Sequence, residues 1–187
     1  MNKQEAIAFV NSTTTNKNLV KHMLAVGACM KALANHFHED EEKWEVAGIV
    51  HDGDYEMFKN TPEKHPSAIV PMLEKQGATP EVIQAVYRHG WGFKADIPEP
   101  QTKMEWSLYA CDELTGLITA VTLVRPSKKL ADVKVEDVLK KWKQKEFARS
   151  VKRENIDFCE PKLGIIRSDF IAICLKAMQG ISDKLGL

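Results

Sequence analysis

Apolar residues recur at three- and four-residue steps along most of the chain, the spacing of one face of an α-helix. These stripes predict helices over residues 3–11, 17–37, 39–51, 66–77, 80–89 and 104–123. Later stripes predict helices over residues 135–142, 146–154 and 168–185. No segment alternates apolar and polar residues as a half-buried strand does. The pattern therefore predicts an all-α bundle of about eight to ten helices.

Loops are predicted where turn residues interrupt the stripes. Residues 53–62 form one such loop, with a single helical turn at 55–58, and the Gly- and Pro-rich residues 90–101 form another. No repeat, linker or low-complexity tract divides the chain. A single domain is expected over residues 1–187, with residues 130–187 as a helical layer on the same core.

Composition narrows the class of protein. The chain has 187 residues, 44% of them hydrophobic, and its 26 basic side chains balance 26 acidic ones. Zero formal charge argues against a nucleic-acid binder driven by overall charge. The N-terminus lacks the apolar core of a signal peptide and no run is long enough to cross a membrane, so a soluble cytoplasmic protein is expected. The four widely spaced cysteines predict reduced thiols: Cys29, Cys111, Cys159 and Cys174.

The dipeptide His51–Asp52 is the first candidate for chemistry. It ends the apolar segment 44–50 and is followed by Gly53–Asp54. An adjacent imidazole and carboxylate can hold one divalent ion together, or the carboxylate can bridge two. Four further polar residues lie on the apolar stripe of a helix or at its end, namely His22, His65, His89 and Asp112.

These polar residues pointing into one core favour a shared cation. Burying a lone carboxylate such as Asp112 costs several kcal/mol unless it is paired or bound to metal. A single histidine on an apolar stripe is more often a hydrogen-bonded core residue, and Asp112 could instead pair with an arginine or cap a helix. Four imidazoles and two carboxylates suffice for one or two ions, with Asp52 as the bridge. Such sets suit Mn, Fe, Co, Ni or Zn better than Ca or Mg.

The order of these residues resembles the HD-domain superfamily of metal-dependent phosphohydrolases, whose pattern is H…HD…D. Here His22, His51–Asp52 and Asp112 match it, and His65 and His89 stand where the dinuclear branch adds two histidines. The text of residues 109–118 is also similar to that of the superfamily. The resemblance covers residues 19 to about 120 and implies a metal-binding core over about 17–124.

The resemblance implies that a metal-activated water hydrolyses a nucleotide or another small phosphoester. Many members read HD-I-G where this chain has Gly53–Asp54, and Tyr55 stands where some mononuclear nucleotidases have a catalytic glutamate. The resemblance makes Asp52 a catalytic candidate. Because of these departures the proton relay is open: Asp54 or Glu56 could serve, or both could be solvated loop acids. Six cations are candidates to hold phosphate, each with an ordinary surface role as the alternative: Lys59, Arg88, Lys94, Arg125, Lys128 and Lys129.

Two other classes of function fit the same residues. Some HD-domain proteins with four histidines and two aspartates are di-iron oxygenases. The domain could also be a metal-stabilised nucleotide-binding module without turnover. The expected partner is a small phosphorylated molecule, with neither nucleic acid nor membrane, and an oligomer is possible. Nucleoside monophosphates, dinucleoside polyphosphates, cyclic nucleotides and small organophosphates all remain open as substrates.

Overall fold

Helices supply the regular structure of the chain in a computed structural model that describes residues 1–144 and 146–187. Within these ranges no β-strand is formed, which confirms the all-α prediction. Two short 3-10 turns, Pro62–Lys64 and Leu130–Asp132, lie between the α-helices. The helices are α1 (Lys3–Thr13), α2 (Lys17–Phe37), α3 (Glu41–Val50), α4 (Ile69–Lys75), α5 (Pro80–Arg88), α6 (Lys103–Leu123), α7 (Val135–Trp142), α8 (Arg153–Ile156), α9 (Cys159–Leu163), α10 (Arg167–Gln179) and α11 (Ser182–Leu185).

Two long helices, α2 and α6, run through the centre of the fold. Helices α3 and α10 pack against both of them, and α5, α8 and α9 pack against α6. The largest fully buried side chains come mainly from these central helices, including Met30 of α2, Ile49 of α3, Leu117 of α6 and Phe170 of α10. All four cysteines are free and buried in this core, as the reduced-thiol prediction requires.

Side-chain caps fix where the site-bearing helices begin. The side chain of Asp40 accepts a hydrogen bond from the Lys43 N–H at the start of α3. Thr102 and Glu105 form a reciprocal capping box at the start of α6. A cap of this kind is worth about 1 kcal/mol. The caps help to fix the starts of the two helices that carry His51 and Asp112.

Close approach of α2 and α3 depends on two glycines. A Cβ atom at Gly48 would lie 2.7 Å from the Cα atom of Gly27 and 2.8 Å from its nitrogen. Both neighbours are backbone atoms, which cannot move aside as a side chain can. The helices therefore touch backbone to backbone, and this contact brings the end of α3 beside α2.

Several predicted boundaries differ from the structure. Helix α4 begins at Ile69 rather than near Pro66, and the stretch expected as one helix over 168–185 is divided into α10 and α11 around Gly180–Ile181. The five-residue α9 was not predicted at all. No helix of the described residues combines the length and apolarity needed to cross a membrane. The division into a core and an added helical layer stays a prediction.

The helix predicted over residues 146–154 is wrong. Residues 146–151 form turns and bends, and α8 begins only at Arg153. Ala148 adopts a left-handed backbone conformation with φ of 46°, which ends any helix at that point. The Arg153 guanidinium donates hydrogen bonds to the carbonyls of Lys141, Gln144 and Phe147. These contacts hold the segment as a folded turn against the end of α7.

We predict that Gly48→Ala lowers the free energy of unfolding by about 1–3 kcal/mol, because the new methyl group overlaps the backbone of Gly27. Urea denaturation followed by circular dichroism measures the change. Gly116→Ala, within α6, is the matched control, since the one neighbour that its Cβ would meet in the described part of the chain is Val151 Cγ2 at 3.7 Å. We expect the control to raise stability by about 0.5–1 kcal/mol through helix propensity. Equal effects in the two variants would contradict the backbone-contact account.

Candidate metal centre

Six side chains from separate parts of the chain converge at one end of the α2–α3–α6 core. His22 comes from the second turn of α2, and Asp112 comes from the middle of α6. His51 caps the C-terminus of α3 and Asp52 follows it, while His89 caps the C-terminus of α5. His65 follows the Pro62–Lys64 turn. These are the six residues that the sequence singled out as metal ligands.

Asp52 lies at the centre of the cluster, and its two carboxylate oxygens face different histidines. Oδ2 lies 3.4 Å from His51 Nε2 and 3.7 Å from His22 Nε2. Oδ1 lies 3.4 Å from His65 Nε2 and 3.6 Å from His89 Nε2. One carboxylate therefore joins two pairs of imidazoles, which is the geometry of a bridging ligand.

Asp112 completes one half of the cluster. Its Oδ1 atom lies 2.9 Å from His22 Nε2 and 3.5 Å from His51 Nε2. Ligand atoms of these three residues all lie within 4.8 Å of one another, and so do those of a second set, His51, Asp52 and His89. Each set is compact enough to surround one cation.

The other nitrogen of each imidazole is occupied by a contact outside the cluster. Nδ1 of His51 donates to the Gly48 carbonyl at 2.8 Å, and Nδ1 of His89 donates to the Val86 carbonyl. Nδ1 of His65 lies 2.6 Å from Asp54 Oδ1, and Nδ1 of His22 lies 3.2 Å from Thr115 Oγ1. A carbonyl can only accept, so the neutral imidazoles of His51 and His89 present the Nε2 lone pair to the cluster. Metal-binding histidines are held in this way by their outer contacts.

The residues present fit a divalent transition metal. His51 Nε2 is fully buried and has no hydrogen-bond partner among the described residues, although it faces two carboxylates. A buried lone pair turned toward buried negative charge is unfavourable unless a proton or a cation stands between them. A donor set of imidazole nitrogens and carboxylate oxygens is the one that Mn, Fe, Co, Ni and Zn share.

The pKa values show how strongly the cluster attracts positive charge. Burial alone would lower the pKa of His51, but the nearby carboxylates of Asp52 and Asp112 raise it well above its usual value. Burial would likewise raise the pKa values of Asp52 and Asp112, yet the histidines beside them hold both well below the usual range. The two carboxylates are therefore ionised at neutral pH, and a proton on His51 occupies the place that a cation would take.

A cavity of about 570 Å³ opens onto the cluster. His22, Asp52, His65, His89 and Asp112 line it, whereas His51 lies behind them and is fully buried. The rest of the wall comes from Leu19 of α2, residues 55–62, residues 90–93, Tyr109 and Glu113 of α6, and the segment 150–155. The volume is in the range of small-molecule sites.

The two acidic candidates for proton relay lie in opposite surroundings. Asp54 is fully buried and its Oδ1 contacts Nδ1 of His65, so the alternative of a solvated loop acid is wrong for this residue. Both carboxylate oxygens of Glu56 accept hydrogen bonds from Thr15 and Asn16, at the loop between α1 and α2. Glu56 thus joins two loops and is not among the described residues that line the cavity, and its role as a proton relay stays a prediction.

The candidate phosphate-binding cations also differ in their surroundings, since one lies at the cavity and the others do not. Lys59 lines the cavity. Arg88 instead donates to the Glu99 carbonyl at 2.7 Å and faces Glu105, while Arg125 forms an ion pair of 2.7 Å with Asp137. Lys94 donates to Ser67 Oγ at 2.9 Å. Lys128 and Lys129 are exposed and are not among the described residues that line the cavity. Of the six candidates, Lys59 is therefore the one that lies at the cavity, and phosphate binding stays a prediction.

Sequence reasoning missed two charged residues of the cavity, Glu113 and Lys152. Glu113 follows Asp112 on α6, and its Oε2 accepts a hydrogen bond of 3.1 Å from the Lys152 N–H. Burial and the neighbouring Asp112 charge raise the pKa of Glu113 to about 7. The sequence held one available signal for Glu113, its position next to a candidate ligand. It held none for Lys152, which reaches the cavity through a turn that was expected to be helical.

Comparison with known proteins identifies a family that the chain matches. A family model described as HD domain matches residues 19–155 of the chain, a stretch that includes all six converging residues and the segment 150–155 at the cavity. The match extends beyond the stretch in which the motif was recognised. Searches of curated proteins and of solved structures found no significant match.

We predict that Asp54→Asn weakens metal binding by about 10- to 100-fold, because it removes the charged acceptor that orients His65. Isothermal titration calorimetry with Mn or Co measures the affinity. Glu56→Gln is the matched control: it alters a carboxylate two residues away that contacts Thr15 and Asn16 instead. We expect the control to bind metal as the native protein does. Unchanged affinity in Asp54→Asn would remove the orienting role.

Proposed function

The chain belongs to the HD-domain superfamily of metal-dependent phosphohydrolases, and from this membership we propose that it hydrolyses a small phosphoester in the cavity above the His/Asp cluster. The observation that carries the proposal is the position of Asp52, with one carboxylate oxygen facing His22 and His51 and the other facing His65 and His89. This arrangement supports two cations that share one bridging carboxylate, the geometry used to clamp a phosphoryl group.

The side chains divide between two ion positions. His22, His51, Asp112 and Asp52 Oδ2 would hold one ion, and His65, His89 and Asp52 Oδ1 would hold the other. When bound, divalent transition ions polarise phosphoryl oxygens and lower the pKa of water from roughly 16 to about 7. Asp54 holds the ring of His65 in position through its contact with Nδ1 of that ring, and Thr115 holds the ring of His22 in the same way.

Two lysines of the cavity attract the substrate phosphate toward the cluster. Among the described residues that line the cavity, Lys59 and Lys152 are the side chains that carry a permanent positive charge. Both are exposed, so their charges are screened by water and serve to attract and orient an anion more than to bind it tightly. The main-chain N–H of Lys152 is tied to Glu113, which keeps this lysine beside the cluster.

We assign the proton donor to Glu113, because it lines the cavity directly beside the ligand Asp112. Burial there raises the pKa of Glu113, which is the direction that a general acid requires. In the proposed step the ester P–O bond breaks and a new P–O bond forms to the oxygen of a water. One proton of that water passes to solvent, and the leaving oxygen takes its proton from Glu113.

We predict phosphatase activity that depends on an added transition metal. Native protein freed of metal is assayed with a panel of phosphoesters in Mn, Co, Ni, Fe, Zn or Mg, and metal content is measured by elemental analysis. Asp52→Ala and His51→Ala are expected to lose tight metal binding and turnover together. Unchanged metal content in either variant would remove the site.

Two other outcomes would assign a different function to the same cluster. Native iron, together with an optical change on exposure to oxygen and no phosphoester turnover, would identify an oxygenase. Nucleotide binding without turnover in any metal would identify a binding module.

We predict that Glu113→Gln lowers kcat for alkyl phosphates by roughly 100-fold, the usual contribution of a general acid. The same variant should hydrolyse p-nitrophenyl phosphate almost normally, because that leaving group departs without a proton. Steady-state kinetics on the two substrates gives the comparison. Equal losses on both substrates would mean that Glu113 has a structural role through Lys152.

A further inference from the structure

The cavity above the cluster is lined by two chemically different sets of side chains. The floor is the His/Asp cluster. The second set, which we call the aromatic wall, consists of Tyr55, Phe58, Trp91, Phe93 and Tyr109. The two sets adjoin each other at Tyr55, whose ring centroid lies 5.2 Å from that of His65. A substrate that filled this cavity would therefore contact both charged ligands and aromatic rings.

Part of the aromatic wall is exposed to solvent. Tyr55 is 48% exposed and Phe93 is 53% exposed, and both are among the large apolar side chains that the fold leaves uncovered. They come from two different loops, residues 53–62 and 90–101, which flank the same opening. Large exposed rings gathered at one opening mark a surface that a ligand covers.

The inner part of the wall is held rigidly. Trp91 packs against Trp106, Tyr109 and Phe158, with ring centroids 5.4–5.6 Å apart. Burial raises the pKa of Tyr109 to about 12, so its hydroxyl keeps its proton and the wall carries no negative charge. A ring that stacks here meets a surface already formed, so little conformational entropy is lost on binding.

The charges of the cavity limit the number of phosphates. Lys59 and Lys152 are its fixed cations within the described part of the chain, and the arginines expected to help, Arg88 and Arg125, are engaged with Glu105 and Asp137. Glu113 adds a carboxyl group beside the floor. Beyond the cluster, two lysines offset by one carboxyl group supply little net positive charge, which favours a single phosphate over a polyphosphate.

Resting on the function proposed above, we propose that the aromatic wall is a binding subsite for a planar aromatic ring, so that the substrate is a phosphate monoester carrying one ring. The base of a nucleoside monophosphate and the ring of a simple aryl-alkyl phosphate share this chemistry. Phe93 is the specificity-determining residue most open to test, because it lies on an exposed loop and makes no contact with the His/Asp ligands that the structure records.

Binding is tested first, without catalysis. Calorimetry compares benzylphosphonate with cyclohexylmethylphosphonate on the native protein, a pair alike in charge and size that differs in aromaticity. We expect the benzyl compound to bind about tenfold more tightly, the effect of one stacked ring. Equal affinities would overturn the ring subsite even if the protein proves to be a phosphatase.

Turnover is then compared on matched substrates. Adenosine monophosphate is paired with ribose phosphate, and benzyl phosphate with cyclohexylmethyl phosphate, so that the leaving groups within each pair are similar. The aromatic member of each pair should have the larger kcat/KM. Phe93→Ala should reduce kcat/KM for the aromatic member about tenfold, mainly through KM. A preference within the first pair alone would identify a nucleoside, and a preference within the second pair alone would identify a simple aryl-alkyl phosphate. Either result supports the subsite.

Two further variants separate a ring effect from general apolarity. Phe93→Leu keeps an apolar side chain and should lose the benzyl preference, whereas Ile166→Ala removes an equally exposed apolar side chain from outside the cavity and should change nothing. Loss of turnover on all substrates alike in Phe93→Ala would overturn the subsite. A benzyl preference in binding, with no hydrolysis in any metal, would overturn the phosphatase proposal and leave the subsite standing.

Discussion

The structure depends on one electrostatic constraint, which is the burial of two carboxylates among four imidazoles. Asp52 and Asp112 remain ionised because positive charge stays beside them, supplied by a proton on His51 or by bound cations. Metal ions and protons therefore compete for the same place. Since the raised pKa of His51 keeps its proton at neutral pH, metal binding must release protons, and its apparent affinity must rise with pH.

Backbone contacts make this convergence possible. The approach of α2 and α3 at Gly27 and Gly48 sets His22 beside the end of α3, where His51 and Asp52 lie. At Gly90, a Cβ atom would stand 2.6 Å from Pro66 Cδ, so the residues that follow His89 and His65 are in direct contact. Glycines thus allow the close contacts that position the ligands.

The all-α fold was predictable from the apolar stripes. The converging residues were predictable because each has a side chain that can bind metal and also lies on an apolar stripe or at its end. His22 and Asp112 have ligand chemistry and also lie on apolar stripes, where a lone polar residue is costly. Asp54 and Glu56 show where this reasoning ends. They stand two residues apart with the same chemistry, yet one is buried against His65 and the other ties down Thr15. Lys152 was unpredictable for a related reason, since its position depends on hydrogen bonds from Arg153 to carbonyls six to twelve residues earlier, where the predicted helix is interrupted.

Anomalous diffraction from crystals grown with Mn or Co tests directly whether Asp52 bridges two cations. We expect two anomalous peaks, one beside each carboxylate oxygen of Asp52. The first would be coordinated by His22, His51 and Asp112, and the second by His65 and His89. Full occupancy elsewhere, with no peak at either oxygen of Asp52, would contradict this bridging role.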